Sequence, residues 1–185
     1  MITNFTENEI KGFLKKNLTA EKYRHTLGVT ALAVELAERY GIDVNKARVA
    51  GLLHDSGKEI AKSRRYLKFI KMDPFEKKIR ALWHNRLGAA IASRVFKIKD
   101  KEILSAIRKH STADRNMSAL DKIIYIADAA ERNRKYKGAK EIRRAAKNDL
   151  GRGFVAALAK KIGFVLKKEK TIHPKSIEAW NEYIK

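Results

Sequence analysis

The chain has 185 residues, of which 42 are Lys or Arg and 21 are Asp or Glu, so its formal net charge is +21 at pH 7. Because 44% of the residues are hydrophobic, a chain of this length can bury a core, and we predict one folded domain. The sequence has no cysteine, which excludes disulfides, thiolate zinc sites, iron–sulfur clusters and a cysteine nucleophile.

The sequence also indicates a location. No apolar stretch approaches the roughly 20 residues that span a bilayer, and the N-terminal segment lacks the basic-then-apolar order of a signal peptide. We therefore expect a cytoplasmic protein without a membrane partner. The charge alone suits nucleic acid, an acidic surface or a small polyanionic substrate.

Apolar residues recur at helical spacing along almost the whole chain, which has only two prolines and ten glycines. No stretch alternates like a strand for long, so the predicted fold is all-α. Asp73 before Pro74 is a helix start signal, and Gly41 is a stop signal. We predict helices at Glu7–Asn17, Ala20–Tyr40, Val44–His54, Ser63–Met72, Pro74–His84, Asn85–Phe96, Lys101–His110, Ser118–Ala130, Ala139–Asp149, Gly151–Lys168 and Pro174–Tyr183.

Six polar residues are predicted to face the interior. Four of the five histidines and one aspartate continue apolar helical stripes, and a second aspartate directly follows a histidine; the six are His25, His54, Asp55, His84, His110 and Asp128. A single inward histidine is usually a hydrogen-bonded core residue. Six such groups without partners would cost on the order of 1–3 kcal/mol each, and a shared cation removes that cost. We therefore predict that these residues bind metal.

The donor types narrow the choice of metal. Nitrogen and oxygen ligands without sulfur suit iron, manganese, nickel or zinc. The absence of an H-E-x-x-H motif argues against a zinc protease. The fifth histidine, His173, belongs to none of the apolar stripes, and we expect it on the surface or in a loop.

The order and spacing of these residues resemble a known family. His25, the doublet His54-Asp55 and Asp128 are spaced like the metal ligands of the HD-domain phosphohydrolase superfamily. His84 and His110 resemble its YqeK branch, whose members are symmetrical dinucleoside tetraphosphatases with a two-iron centre. The resemblance covers most of the chain, and its further segments are Tyr23–Val29, Gly51–Asp55, Gly88–Ala89, Met117–Ser118, Ile123–Asp128 and Ile172–Pro174.

The resemblance implies a single HD domain over residues 1–185, with a metal-binding core at about 20–135 and C-terminal helices at 139–185 packed on it. It also implies a buried centre of two metal ions, with iron as the expected metal and manganese, nickel or zinc open. The implied ligands of the first ion are His25, His54, Asp55 and Asp128, and those of the second are His84 and His110, with Asp55 bridging both.

The implied reaction is hydrolysis of diadenosine tetraphosphate between its central phosphates, which releases two ADP. Asp55 and Lys58 are the predicted catalytic residues. Lys58 follows His54 by four residues, so it lies on the same side as the doublet His54-Asp55 if the helix continues. Cationic and hydroxyl side chains are predicted to bind the substrate, namely Lys58, Arg86, Thr112, Arg115 and Arg134.

The chain departs from the YqeK pattern near the predicted substrate pocket, which leaves the exact nucleotide open. None of the departing positions is a predicted ligand; they are Asn85-Arg86, Ser111-Thr112-Ala113, Asp114-Arg115-Asn116, Ala129-Ala130 and Arg132-Asn133. One alternative function is an HD-domain phosphohydrolase of another nucleotide or an RNA end. Another is a basic nucleic-acid or ribosome-associated module with a structural metal site.

The basic excess is concentrated in residues 131–170, which hold 14 Lys and Arg against 4 acidic residues. A positive field attracts a polyphosphate that carries about four negative charges, but one such substrate does not require the whole excess. Weak association with RNA or the ribosome is therefore a secondary prediction. The sequence gives no indication of the oligomeric state.

Overall fold

The computed structural model describes residues 2–60, 68, 70–72 and 74–184. These residues contain ten α-helices and no β-strand, which confirms the all-α prediction. The helices are α1 (Glu7–Asn17), α2 (Ala20–Arg39), α3 (Val44–Leu53), α4 (Pro74–Lys78), α5 (Trp83–Arg94), α6 (Lys101–Lys109), α7 (Ala119–Ala130), α8 (Ala139–Asn148), α9 (Leu150–Lys167) and α10 (Pro174–Tyr183).

Helix α7 lies at the centre of the fold, where α2, α3, α6, α8 and α9 pack against it. Its sequence, ALDKIIYIADAA, is apolar on nearly every side, and ten of its 12 residues are buried. A helix that is apolar all round is stable only where other elements surround it. Because α7 is enclosed in this way, Asp128 in its last turn is carried into the interior.

The starts of three helices around the centre are fixed by side-chain caps. Asp43 accepts hydrogen bonds from the first turn of α3, and Asp100 does the same for α6. Ser118 and Asp121 form a capping box at the start of α7. Each cap contributes typically about 1 kcal/mol, and together they fix where each helix begins along the chain.

The region from residue 74 to 84 differs from the predicted helix Pro74–His84. Helix α4 ends at Lys78, a 3-10 turn occupies Arg80–Leu82, and α5 begins at Trp83. The Glu76 carbonyl accepts the N–H of Ile79 at 3.1 Å and the indole N–H of Trp83 at 3.0 Å, so it does not continue an α-helical ladder. His84 therefore lies in the first turn of α5, in the same helix as Asn85.

Another predicted helix, Ser63–Met72, falls mostly outside the described residues. Its last three positions, residues 70–72, are described and are not helical. Asp73, the predicted cap of the helix at Pro74, also lies outside the described residues.

The C-terminal helices pack on the central bundle. Helix α8 contacts α7 and α9, α9 contacts α7, and α10 contacts α9. A Cβ atom on Gly153 would lie 2.4 Å from Cα of Ala146, so glycine is required where α8 and α9 approach each other. Among the described helices, none combines the length and the hydropathy that crossing a bilayer requires.

His173 is buried in a loop, so the expectation of a surface or loop position is correct about the loop and wrong about the surface. It precedes α10 in a non-helical conformation, and its Nδ1 accepts a hydrogen bond from the N–H of Lys175 at 3.2 Å. Because Pro174 has no N–H, Lys175 supplies the first N–H that can be capped. The imidazole ring also meets the Phe75 ring edge-on, with the ring centroids 5.1 Å apart.

Candidate metal centre

The six predicted ligands converge at one place in the fold, and we call them the His–Asp cluster. His25 lies on α2, His84 in the first turn of α5, and Asp128 in the last turn of α7. The other three directly follow helices, His54 and Asp55 after α3 and His110 after α6. Five of the six are buried, and the side chain of His25 is 13% exposed.

Asp55 lies between two pairs of histidines. Its Oδ1 atom is 3.5 Å from Nε2 of His84 and 3.4 Å from Nε2 of His110. Its Oδ2 atom is 3.5 Å from Nε2 of His54 and 3.9 Å from Nε2 of His25. One carboxylate thus presents each of its oxygens to a different pair of imidazoles, which is the geometry of a bridging ligand.

Asp128 completes one side of the cluster. Its Oδ1 atom lies 3.1 Å from Nε2 of His25 and 3.9 Å from Nε2 of His54. Two triads result whose ligand atoms all lie within 4.8 Å of one another: His25, His54 and Asp128 form one, and His54, Asp55 and His110 form the other.

The outer nitrogen of each imidazole is held so that Nε2 faces the cluster. The Nδ1–H groups of His54, His84 and His110 each donate at 2.7 Å to the carbonyl three residues earlier in the chain. For His25, the partner is the Glu131 carboxylate, whose Oε1 lies 3.2 Å from Nδ1. Partners of this kind fix the tautomer and the ring orientation of histidines that ligate metal.

Burial and charge set the protonation states of the cluster. Burial lowers the pKa of His84 to about 3 and also lowers the pKa of His110, so both rings are neutral near pH 7. Burial alone would raise the pKa values of Asp55 and Asp128. The nearby cations and histidines outweigh it and hold both pKa values well below the usual range. For His54, the carboxylates of Asp55 and Asp128 outweigh burial and raise the pKa. Neutral imidazoles and ionised carboxylates are the states that ligate metal, so His84, His110 and the two aspartates are in those states near pH 7.

Two buried atoms test whether a metal fits the cluster. Nε2 of His54 and Oδ1 of Asp55 are buried and have no hydrogen-bond partner among the described residues. An unsatisfied buried polar atom costs on the order of 1–3 kcal/mol, and coordination to a cation would remove that cost. Both atoms point into the cluster, and the donors are all nitrogen or oxygen, so these residues fit divalent metal ions.

Three cationic side chains surround the cluster. Nζ of Lys58 donates to Oδ2 of Asp55 at 2.7 Å, and Nη2 of Arg134 donates to Oδ1 of Asp128 at 3.2 Å. Nζ of Lys161 donates to Oδ2 of Asp128 and to the carbonyl of His110, both at 2.7 Å. Lys58 and Arg134 are predicted substrate-binding residues, whereas Lys161 was not identified from the sequence.

The sequence does carry a signal for Lys161. It continues the buried stripe of Phe154, Ala157 and Leu158 on α9, because it follows Ala157 by four residues and Leu158 by three. A lysine at a core position needs a buried partner, because an isolated charge is expensive to bury. The partner here is Asp128, and the ammonium also lies 3.9 Å from the centre of the Tyr125 ring.

The other predicted substrate contacts lie outside the cluster. Nε of Arg86 donates to Glu76 at 2.8 Å, and Nε of Arg115 donates to Glu182 at 3.3 Å. Thr112 is buried, and its carbonyl accepts a hydrogen bond from Ser176 at 2.7 Å. Both guanidinium groups are paired with carboxylates at these positions, and the roles of all three residues in substrate binding stay predictions.

Similar proteins bear out the resemblance. The HD-domain family matches residues 23–133, which include the whole His–Asp cluster. A protein of Bacillus subtilis named "Bis(5'-nucleosyl)-tetraphosphatase, symmetrical" is 33% identical over 91% of this chain and 92% of its own length. A protein of the same name from Halalkalibacterium halodurans is 36% identical over 92% of this chain and 93% of its own length.

A solved structure shows the same fold. A Clostridium acetobutylicum protein, described as a predicted HD superfamily hydrolase involved in NAD metabolism, superposes on this chain with a TM-score of 0.90. The two sequences are 36% identical, and the superposition covers 97% of both chains. The present chain therefore belongs to the HD-domain family, in the branch that contains the symmetrical bis(5'-nucleosyl)-tetraphosphatases.

Proposed function

We propose that this chain is a metal-dependent hydrolase that cleaves diadenosine tetraphosphate symmetrically into two ADP. The position of Asp55 carries the proposal, because its two oxygens face different pairs of histidines at 3.4–3.9 Å. A carboxylate placed in this way can bridge two metal ions about 3.5–4 Å apart. The relatives with the tetraphosphatase name align with more than nine tenths of this chain, which supports the choice of substrate.

The His–Asp cluster divides between the two metal positions as the resemblance implies. His25, His54 and Asp128 would hold the first ion, His84 and His110 would hold the second, and Asp55 would bridge them. Such a pair of ions supplies Lewis acidity to phosphate oxygens and lowers the pKa of bound water towards about 7. No separate general base is then required from the chain.

The chain itself supplies positive charge for the substrate. The side chain of Lys58 is 36% exposed, and its ammonium contacts Asp55. The Arg134 side chain is 40% exposed, and its Nη2 lies 3.5 Å from Nε2 of His25. Both cations border the cluster where phosphate oxygens would approach, and both can stabilise charge that develops on those oxygens.

Iron stays the metal expected from the resemblance, with manganese, nickel and zinc as alternatives. Mixed nitrogen and oxygen sites accept several first-row metals, and their supply in the cell decides which one binds. The cytoplasmic location is likewise a prediction. Metal analysis of protein purified without chelator identifies the bound ion and its stoichiometry, with two ions per chain expected.

The reaction is tested by its products. Incubation of the metal-loaded protein with diadenosine tetraphosphate should release ADP alone, whereas a mixture of ATP and AMP would contradict symmetrical cleavage. Asp55→Asn should lose both bound metal and activity. Asp149→Asn is the matched control, because Asp149 is exposed at the N-cap of α9 and Asn preserves a cap. Full turnover by folded, metal-free Asp55→Asn protein would overturn the proposal.

One surface feature favours the secondary prediction of RNA association. Lys140, Arg144 and Lys147 are exposed at helical spacing along one face of α8. Binding of RNA to such a face should weaken steeply as the salt concentration rises, since phosphate contacts release counterions. Affinity that does not change with salt, or no affinity at low salt, would remove this second candidate.

A further inference from the structure

The carboxyl end of α7, next to Asp128, is held by side chains from the segment that follows it. The last carbonyls of an α-helix have no partners within the helix, so they need water or side chains. Nε of Arg134 donates to the Asp128 carbonyl at 3.2 Å. The hydroxyl group of Tyr136 donates to the Ala129 carbonyl at 2.6 Å. Two carbonyls in the last turn of α7 are thus satisfied from outside the helix.

Arg143, in helix α8, binds the next two carbonyls of this helix end. Its Nη1 atom donates to the Ala130 carbonyl at 2.6 Å and to the Glu131 carbonyl at 3.3 Å. The backbone leaves helical geometry at Glu131, so no further turn of α7 supplies donors for these carbonyls. A guanidinium group is also favourable there, because the carboxyl end of a helix dipole is negative. Arg143 therefore fixes both the end of α7 and the residue that follows it.

The position of Arg143 is itself fixed by the packing of α8. Ala146, three residues later on the same helix, is fully buried. The hydroxyl group of Tyr40, at the end of α2, donates to the Ala146 carbonyl at 2.6 Å. Because His25 also lies on α2, helix α8 is joined both to the helix that carries His25 and to the helix that carries Asp128.

Two carboxylates at the end of α7 contact the two nitrogens of one imidazole, that of His25. Oδ1 of Asp128 lies 3.1 Å from Nε2, and Oε1 of Glu131 lies 3.2 Å from Nδ1. Since the two acidic residues are only three positions apart, the conformation of this helix end sets both contacts together. A displacement of the helix end would move a predicted metal ligand and also the group that orients its neighbour.

We propose that Arg143 and Tyr136 are positioning residues for the metal centre, because they hold the end of α7 and with it the carboxylates that contact His25. The inference rests on the proposed function in taking Asp128 as a metal ligand. Both positioning residues lie beyond residues 23–133, the part that matches the HD domain. The segment after that part then contributes to the geometry of the metal centre as well as to packing.

Arg143→Met tests the inference, because charge and position predict opposite effects on metal affinity. Methionine keeps an unbranched side chain but donates no hydrogen bond. Loss of a nearby positive charge alone should strengthen the binding of a divalent cation. Loss of positioning should weaken it, and we expect the dissociation constant for Mn²⁺ to rise about tenfold, the lower end of the usual effect of losing an outer partner of a metal ligand.

Three further variants accompany this one. Arg143→Lys keeps the charge and a donor, so it should restore most of the Mn²⁺ affinity. Tyr136→Phe removes one hydroxyl group without changing the charge, and it should also weaken Mn²⁺ binding. Arg152→Met is the matched control, because Arg152 is exposed in the first turn of α9, and it should leave the affinity unchanged.

The affinity is measured in the absence of substrate, on protein that circular dichroism shows to be folded. A merely structural role would lower the free energy of unfolding but leave the Mn²⁺ affinity of the folded protein at the wild-type value. The expected loss of affinity would stand even if the protein did not cleave diadenosine tetraphosphate. Absence of Mn²⁺ binding by wild type would overturn the inference. So would Mn²⁺ binding as tight as in wild type, or tighter, in folded Arg143→Met or Tyr136→Phe protein.

Discussion

The Oε1 atom of Glu131 lies 3.2 Å from Nδ1 of His25, on the side of the imidazole that faces away from the His–Asp cluster. The other three cluster histidines use backbone carbonyls for this contact. Since a carboxylate raises the basicity of the ring that it contacts, Glu131 should strengthen the bond between His25 and a metal ion.

Glu131→Gln should therefore lower metal affinity about 10- to 100-fold, the usual effect of losing such a partner. The measurement is the dissociation constant for Mn²⁺, followed by electron paramagnetic resonance of the free ion. Glu182→Gln is the control, because Glu182 pairs with Arg115 on the surface. Unchanged Mn²⁺ affinity in folded Glu131→Gln protein would contradict this role.

Gly28 makes the contact between Glu131 and His25 possible. A Cβ atom at residue 28 would lie 2.3 Å from Oε2 of Glu131, so Gly28→Ala must displace that carboxylate. We expect Gly28→Ala to reduce Mn²⁺ affinity by a similar factor. The double variant with Glu131→Gln should be little worse than either single variant, because both changes remove one interaction.

Gly12→Ala is the control for Gly28→Ala. Gly12 lies in α1, and nothing lies within 4 Å of the Cβ that an alanine would add. Alanine is favoured over glycine in a helix by up to about 1 kcal/mol, so this variant should be slightly stabilised and should keep wild-type Mn²⁺ affinity. Additive losses of Mn²⁺ affinity in the double variant of Gly28→Ala and Glu131→Gln would mean that Gly28 and Glu131 act separately.

The sequence was sufficient to predict most of the helices and the convergence of the six predicted ligands. Both predictions depend on local periodicity, since each ligand continues or directly follows an apolar stripe that must face the core. Asp128 shows why this works: α7 is apolar on nearly every side, so a charged residue in its last turn has to find partners inside the fold.

Features that depend on specific side-chain contacts were not predictable in the same way. At the break after α4, the Trp83 indole donates a hydrogen bond to the Glu76 carbonyl. The spacing of apolar residues in the sequence does not predict that bond. Burial of His173 depends partly on Phe75, almost 100 residues earlier in the chain. Lys161 had a local signal, but its partner Asp128 could be identified only from the packing of α9 on α7.

Lys161 should contribute differently to the stability of the metal-free and metal-loaded forms. Its side chain is 22% exposed and pairs with Asp128, so Lys161→Met leaves a buried carboxylate with one cation fewer. Removal of one member of a buried pair lowers the free energy of unfolding by about 3–5 kcal/mol. We expect Lys161→Met to lower it by an amount near the lower end of that range in the presence of chelator.

A bound metal ion should compensate Asp128, so the loss should be smaller in protein saturated with Mn²⁺. Urea unfolding with chelator and with Mn²⁺ measures both values. Lys160→Met is the control: Lys160 is exposed on the same helix, and its ammonium lies 5.5 Å from the centre of the Tyr136 ring. Lys160→Met should lower the free energy of unfolding by about 1 kcal/mol or less both with chelator and with Mn²⁺. An equal loss for Lys161→Met with and without Mn²⁺ would show that Asp128 is not the group that Lys161 stabilises.

Asp100 gives a prediction about pH at a site remote from the metal ligands. It caps α6, the helix that ends before His110, and it pairs with Lys46 of α3 at 2.9 Å. Burial alone would raise the pKa of Asp100, but Lys46 and the amides of the first turn outweigh it and lower the pKa. The ionised carboxylate therefore stabilises the fold above the unfolded-state pKa of about 3.9, and this contribution is lost as pH falls through the lower folded-state pKa.

Asp100→Ala should lower the free energy of unfolding by about 1–2 kcal/mol at pH 7, since it removes both the cap and the ion pair. The difference from wild type should narrow below about pH 4, because protonation then removes the ion pair from wild type as well. Asp100→Asn keeps an oxygen that can cap α6, so it should cost less at pH 7 and separate the charge from the cap. Urea unfolding of the three proteins in chelator at pH 7, 5 and 3 measures these differences. If the gap between wild type and Asp100→Ala widened in acid, the ion pair with Lys46 would not be the source of the pH dependence.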